Sequence, residues 1–597
     1  MATLTADPAT KTFIRGGMFL VAPATPGDVF TPEDFSEEHR MIAETTADFV
    51  ENDVMPNVEA IEHKDFDLQV RLMRKAGELG LLSVEIPERW GGLGLDKASA
   101  MLVAEKLARL ASFSVTHGGH TGIGTQPIVC FGTDAQKGTY LPKLATGELL
   151  SSYALTEAGS GSDALGAKAT ARLTDDGKFY VLNGEKMWIT NAGFADIFIT
   201  FAKIDGDKFS CFIVEKGDPG VSTGKEEKKM GIRGSSTRTL VLTDALIPAD
   251  RLLGLAGKGH QVAFNILNMG RFKLGAGCIG GAKTCLKDAL LYASQRHQFG
   301  RPIASFGAIK HKLGQMAIDT WVGESMVYRT AGLIDTRLAT VDKDDPKSVM
   351  AGIEEYAVEC SIIKVYASEM LDRVVDHGVQ IYGGYGYSEE YPAERYYRDS
   401  RINRIFEGTN EINRMLIPGM LVKRAMRGDL PLMPATQKVL EEVLSFPELG
   451  GDEDEGVLAA EAKLAGNGKK VALLVAGSAF QKYRDKLSDE QEVLIGIADV
   501  VMEAYAMESA VLRAQKLAAR NAASETILDA VRLFCVEATG RIEASARGVL
   551  AAIADGDTLR TQLAALRRFT KATPCNGVAI RRAVADRMLA DGRSELL

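Results

Sequence analysis

One block of short, β-branched runs interrupts a chain whose other segments carry helical spacing, and that interruption limits the folds available to it. Ser151 to about Leu253 holds ATARLTDDGKFYVLNG, FITFAKIDGDKFSCFIVEKG and STRTLVLTD, with Asp176-Gly177, Asp205-Gly206 and Asp218-Pro219-Gly220 as turn signals between runs. Strands that follow one another without intervening helices predict a compact antiparallel β domain rather than alternating βαβ units. Before it, SEEHRMIAETTADFVENDVMP and KASAMLVAEKLARLA repeat apolar residues at helical spacing, punctuated by Pro56 and Gly91-Gly92. After it, long apolar-striped helices are predicted from about Gln261 to Arg427. Pro431, Pro434, Pro447 and the acidic run Asp452 to Glu455 predict an irregular linker, and Val457 to Leu597 is Ala-rich and helical again. The class expected is α+β: an N-terminal extension (1–34), an N-terminal helical domain (35–150), a middle β domain (151–260), a C-terminal helical domain (261–428), a linker (429–456) and an appended helical domain (457–597).

Composition closes off several alternatives. The 597 residues leave room for about four domains, and 46% hydrophobic with 25% charged residues excludes disordered, collagenous and disulfide-stapled chains. The net charge of -9 gives no global reason to expect nucleic-acid binding. Seven cysteines without a C-x-x-C pair read as buried free thiols in a reducing compartment. The apolar run Met18 to Pro23 is too short for a signal sequence, and the opening stretch is neither Arg-rich nor acid-free. A cytoplasmic protein without signal, transit or transmembrane segment is expected.

Familiar motifs fail one by one. Gly277-CIGG-Ala282-Lys283-Thr284 imitates a P-loop, but Ala282 replaces the required Gly and the stretch is helical, so it reads as helix packing. His117-Gly-Gly-His120 has no accompanying carboxylate or thiol cluster and reads as a loop or pocket wall; no metal site is expected. There is no G-x-S-x-G elbow, and no G-x-G-x-x-G joins a predicted strand to a helix.

Four other segments carry chemistry. Ala154-LTEAGSGSD-Ala164-Leu-Gly166 is a loop of small residues and hydroxyls that offers backbone N–H groups to an anion or heterocycle. Lys186-MWIT-Asn191 places Trp188 on a strand, where by itself it reads as a core aromatic. Gln380-IYGGYG-Tyr387, followed by Glu390, Arg395 and Asp399, permits close backbone approach at its glycines. In Arg404-IFEGTN-Glu411, Glu407 lies between bulky Phe406 and flexible Gly408; an acid beside apolar bulk is desolvated and becomes a suitable general base.

Together these segments, over roughly residues 35 to 427, resemble the acyl-CoA dehydrogenase family of flavoproteins, and the appended helices are most similar to its very-long-chain subgroup. The resemblance implies a four-helix bundle in the third domain, FAD as cofactor and an acyl-CoA substrate. It implies oxidation to the trans-2-enoyl-CoA in fatty acid β-oxidation, with electrons passed to electron-transferring flavoprotein. Glu407 matches the base that removes the α-proton. In some subgroups the base instead precedes the arginine matching Arg271, where this chain has Gly270. Leu155, Thr156, Trp188 and Thr190 match positions around the flavin ring, and Ser162 one near the pyrophosphate and CoA. Arg296, Gln298, Phe299, Gln380, Gly383, Gly384, Thr409 and Glu411 match contacts to FAD across a homodimer interface. Asn268, Arg271 and Gly408 match substrate-side positions. Gly118 and Gly119, with Val115, Gly122 and Gly124, either deepen the acyl pocket for long chains or loosen a loop.

The C-terminal end is basic (Arg560, Arg567, Arg568, Lys571, Arg581, Arg582, Arg587, Arg593); the resemblance to the very-long-chain subgroup implies a homodimer with peripheral membrane contact at this module, and the alternative is an interface helix with a solvated face. Two other readings remain open here: an acyl-CoA oxidase using oxygen, and a non-catalytic assembly protein on the same fold.

Overall fold

The computed structural model describes residues 13–342, 345–444, 456–593 and 596. The N-terminal helices begin where caps place them. Ser36 accepts from the His39 N–H at the start of Glu37–Phe49, and Thr133 with Gln136 forms a capping box at the start of Asp134–Thr146. Lys97–Leu107 is buried on nearly every side, and Ala111–Gly118 runs into a π-helical turn over Gly119–Gly124. Such turns widen the backbone locally and recur at functional sites.

The sheet comprises β1 (Ser151–Ala154), β2 (Thr170–Leu173), β3 (Phe179–Thr190), β4 (Ile197–Ile204), β5 (Lys208–Glu215), β6 (Val221–Thr223), β7 (Thr237–Pro248) and β8 (Leu252–Leu253). Its order is β6-β7-β3-β2-β4-β5-β8, with β1 also on β4. Most ladders are antiparallel, as the turn signals predict. The exceptions are β1 and β2, which run parallel to β4 end to end along one edge, Ser151 to Ala154 against Ile197 to Thr200 and Thr170 and Ala171 against Lys203 and Ile204. The physical reason is the small-residue loop 155–169. The chain leaves the edge of β4 after Ala154, makes an excursion, and rejoins the same edge further along.

The third domain packs four long helices: Gly259–Gln295, Gly307–Leu338, Ala357–Tyr382 and Asn410–Met426. The P-loop look-alike lies inside the first of them. A Cβ at Gly280 would overlap the carbonyl oxygen of Glu105, so the glycine permits close helix–helix contact.

Two differences from the sequence expectation concern the C-terminal third. The stretch 429–456 is not irregular throughout, because Leu432–Leu444 is a helix. Pro434 falls in its first turn, where a missing N–H costs little, and Val439 is buried while Glu442 pairs with Lys470 at 2.8 Å. The run Asp452 to Glu455 lies outside the described residues. The appended helices Ala459–Tyr483, Gln491–Ala519, Glu525–Ile553, Gly556–Phe569 and Gly577–Asp591 share one continuous apolar core with the bundle. Residues 13–34 lie in that seam: the Phe19 ring meets Tyr505 edge-on at 4.7 Å, and Arg513 clasps Glu33 at 2.7 Å. Part of the basic C-terminal end is used up there. Arg581 is buried against Glu537 (2.5 Å) and Gln315 (2.7 Å), and Arg568 donates to the Glu442 carbonyl at 2.8 Å. No helix of the described residues is long and apolar enough to cross a membrane.

Candidate active site

Glu407 follows a short 3-10 turn, Arg401–Arg404, and has φ 59°, a left-handed conformation that side chains rarely adopt; Gly408 follows at φ 81°. The strained pair is held from three sides. Arg271 Nε donates to the Glu407 carbonyl at 3.1 Å. Lys364 Nζ donates to the Gly408 carbonyl at 2.7 Å. Asn413 Nδ2 reaches the carbonyls of Gly408 (2.9 Å) and Thr409 (3.0 Å).

All of these bonds end on backbone. The carboxyl Oε2 of Glu407 is out of contact with solvent and accepts no hydrogen bond. Burial pushes the carboxyl up to about 7, against the opposing charges of Arg271 and Lys364. A Cβ at Gly270 would collide with this carboxyl, so the glycine leaves the space that the acid occupies. A proton-abstracting group poised near neutrality and free of hydrogen bonds is what general-base chemistry requires.

A cavity of about 200 Å³ opens from Glu407. Its walls are Thr190, the helix Lys97–Leu107 at Ala100 and Ala104, the long helix at Gly270, Gly277 and Gly281, and Leu371 with Val375 opposite. Gly118 and Gly119 both line it, with different consequences. A Cβ at Gly118 would meet nothing within 4 Å, whereas one at Gly119 would press on Thr190 Cγ2 at 3.0 Å. The first glycine enlarges the cavity; the second is needed for packing against the end of β3. His117 is a cavity wall. Its Nε2 meets the Leu81 carbonyl at 3.0 Å, His120 Nε2 meets that of Leu144 at 3.0 Å, and burial holds both imidazoles neutral.

The flavin-matching residues of the middle domain converge at the same end of the sheet. Trp188 has φ 58° and lies in the register shift between Lys186 and Ile189 on the β3–β7 ladder. A bulge re-aims a side chain, and here it leaves the indole 62% exposed. The loop carrying Leu155 and Thr156 is fastened beside it. Met187 N–H donates to the Thr156 carbonyl at 2.8 Å, and the buried Lys186 pairs with Glu157 at 2.6 Å while reaching the Leu155 carbonyl at 3.3 Å. Ser162 lies exposed further along this loop.

The remaining residues gather elsewhere. Arg296, Gln298, Gly383 and Gly384 line a second cavity of about 680 Å³, and Arg296 sits over the Tyr385 ring at 5.2 Å. Phe299, 93% exposed, caps the adjoining two-stranded ribbon, and Gln380 is exposed at the end of its helix. The two cavities share no lining residue. Thr409 caps the helix Asn410–Met426 through Ile412 N–H at 3.2 Å, and Glu411 is an exposed acid in that helix's first turn. Asn268 accepts from Arg271 at 3.0 Å and so orients it. Sequence reasoning passed over Lys364 and Asn413; the available signal was a lone lysine in the apolar run CSIIKVYAS.

Sequence models of acyl-CoA dehydrogenases match this architecture domain by domain: the N-terminal domain over residues 36–148, the middle domain over 152–245 and the C-terminal domain over 257–420. The chain belongs to the acyl-CoA dehydrogenase family. A further acyl-CoA dehydrogenase C-terminal domain model matches residues 467–568, within the appended helices. A probable acyl-CoA dehydrogenase of Bacillus subtilis (strain 168) is 52% identical over 577 residues, 96% of this chain and 97% of that one. The crystal structure of an acyl-CoA dehydrogenase complexed with FAD from Bacillus anthracis superposes with a TM-score of 0.95 at 54% identity, covering 97% of this chain and 100% of that one. The mitochondrial very long-chain specific acyl-CoA dehydrogenase of Rattus norvegicus is 34% identical over 496 residues, 78% of this chain and 73% of that one. As an acyl-CoA dehydrogenase, the chain is an oxidoreductase of fatty acid metabolism.

Proposed function

We propose that this acyl-CoA dehydrogenase binds FAD, oxidises long-chain acyl-CoA thioesters to trans-2-enoyl-CoA with Glu407 as the α-proton base, and passes the electrons to electron-transferring flavoprotein. The observation that carries the reading is the Glu407 carboxyl, desolvated and unpartnered at the wall of a largely apolar cavity. FAD fits the residues present. The uncovered Trp188 face and the Thr156 loop suit a planar ring, and the cavity with Arg296, Gln298, Gly383 and Gly384 suits the nucleotide end held by a partner subunit of a homodimer. When bound, the cofactor supplies the hydride acceptor.

The chain's own residues do the rest. Glu407 takes the α-proton, its backbone N–H polarises the thioester carbonyl, and Gly408 allows the close approach that this needs. Arg271, Lys364 and Asn413 hold the loop so that the carboxyl faces the cavity. Trp188 shields one side of the site from water. The small walls at Gly118, Gly277 and Gly281 favour a long acyl chain.

The test is anaerobic titration of the FAD-loaded protein with palmitoyl-CoA and with butyryl-CoA, followed by admission of electron-transferring flavoprotein or oxygen. Palmitoyl-CoA should bleach the flavin at lower concentration, and the flavoprotein should restore its colour. Absence of bleaching would exclude an oxidoreductase role at this site, and rapid peroxide release would replace the dehydrogenase with an oxidase.

A further inference from the structure

We propose that Lys364 is a positioning residue for the Glu407 carboxyl, holding the loop that presents it and setting a second buried positive charge beside it. The inference rests on the proposed role of Glu407 as base. Lys364 lies on Ala357–Tyr382 with no solvent exposure. A buried ammonium costs several kcal/mol unless it is paired, yet the ion pairs among the described residues include none to Lys364. Its partners are neutral: the Gly408 carbonyl and Asn410 Oδ1, both at 2.7 Å. Asn410 is itself fixed by donating to Ser368 (3.1 Å) and Glu369 (2.9 Å), so the ammonium cannot drift.

The groups facing Glu407 come from several elements. Arg271 approaches from Gly259–Gln295, Lys364 from Ala357–Tyr382, and Tyr153, a neutral phenol whose hydroxyl is buried without a partner, from β1. Lys364 in turn is faced by the Cys278 thiol and by Glu411. Burial draws the ammonium down to about 8, which leaves it charged at neutral pH. An unpaired buried cation is a poor device for stability alone. Beside a desolvated acid that must lose its proton it has a use, since each nearby positive charge favours the carboxylate. Arg271 does the same from the other side, so the strained Glu407–Gly408 pair sits between two cations whose hydrogen bonds end on its carbonyls and not on its carboxyl.

The test is the pH dependence of palmitoyl-CoA bleaching in anaerobic stopped flow, using FAD-loaded wild type, K364M, K364Q and K364R. In the two neutral variants the acid limb should move up by about one pH unit, so that bleaching below neutrality falls about tenfold and recovers as the pH rises. K364R keeps the charge and should keep the wild-type limb even where its rate is lower. If K364M does not retain FAD, K364Q, which still donates a hydrogen bond, decides against K364R. A second readout needs no turnover: the pH at which the melting advantage of Glu407→Gln levels off should be higher in the K364Q background. Neutral variants that slow at every pH with an unmoved acid limb would reduce Lys364 to packing and overturn the proposal. Glu407→Gln run in parallel separates the two ideas: if it bleaches like wild type, the base is misassigned; if it is dead while the limb stays put, only the role of Lys364 fails.

Discussion

Two glutamates of the helical core are shifted in opposite directions: Glu324 is a buried residue, and Glu407 is half-buried with its Oε2 out of contact with solvent. Glu324, on Gly307–Leu338, sits at the seam with the appended helices, where Arg513 meets its carboxylate at 2.7 Å and Lys283 binds it from the long helix. Burial opposes its ionisation, but those two cations outweigh burial and hold it down at about 2. Glu407 also has two cations beside it, yet burial wins and the carboxyl rises to about 7. The difference is where the hydrogen bonds end. At Glu324 they end on carboxylate oxygens; at Glu407 they end on the carbonyls of residues 407 and 408. The seam therefore yields a stabilising ion network, and the cavity yields a strained loop whose acid is raised towards neutrality.

This contrast can be broken in order of expected effect. Glu407→Gln removes the unpartnered acid and should slow substrate-driven bleaching by about 10³–10⁴-fold, with acyl-CoA binding retained in equilibrium titration. Glu324→Gln takes one carboxylate from Arg513 and Lys283, which keep Glu33 (2.7 Å) and Glu105 (2.9 Å). It should cost about 1.5–3 kcal/mol in denaturant unfolding while bleaching stays close to wild type. The sign follows from linkage: a carboxyl depressed from 4.5 to about 2 contributes stability that is present above 4.5 and lost as the pH falls through 2, so the penalty should shrink in acid. Gly270→Ala pushes a methyl into the Glu407 carboxyl, whose flexible end can swing aside, so stopped flow should show a loss of about tenfold rather than abolition.

The smallest effect has the opposite sign to the seam. Glu407 is raised, so its protonated form is favoured by folding and the native state loses stability as the pH rises from 4.5 towards 7. Glu407→Gln should therefore melt slightly higher than wild type at pH 8 and about equally at pH 4. Equal melting at both would mean that the carboxyl is not desolvated.

Much of the candidate site is legible in the chain because its parts are contiguous. EGTN, GGYGY, the small-residue loop and MWIT each pair a conformational demand with a chemical group inside a few residues, and periodicity separated the β block from the helices. Other features were not legible. The parallel seating of β1 and β2 depends on where a loop returns, and local spacing cannot report that. The prolines around 431–434 looked like linker, since proline in a first helical turn and proline in a loop have the same local signature. Gly118 and Gly119 are adjacent and alike in sequence, yet only their neighbours show that one opens the cavity and the other packs.

The sequence by itself determined the layout of helical and strand segments and the residue types able to act at each loop, because backbone period and conformational permission are local properties. Phe406 beside Glu407 already marked that acid as a candidate, but how far it is raised, and that Glu324 is lowered instead, was decided by the tertiary structure. The charges and the room that set the ionisation of Glu407 come from Arg271, 136 positions away, from Lys364 and from Gly270, whose missing side chain leaves the space that the carboxyl occupies. Desolvation is a property of the assembled cavity and not of any stretch of chain.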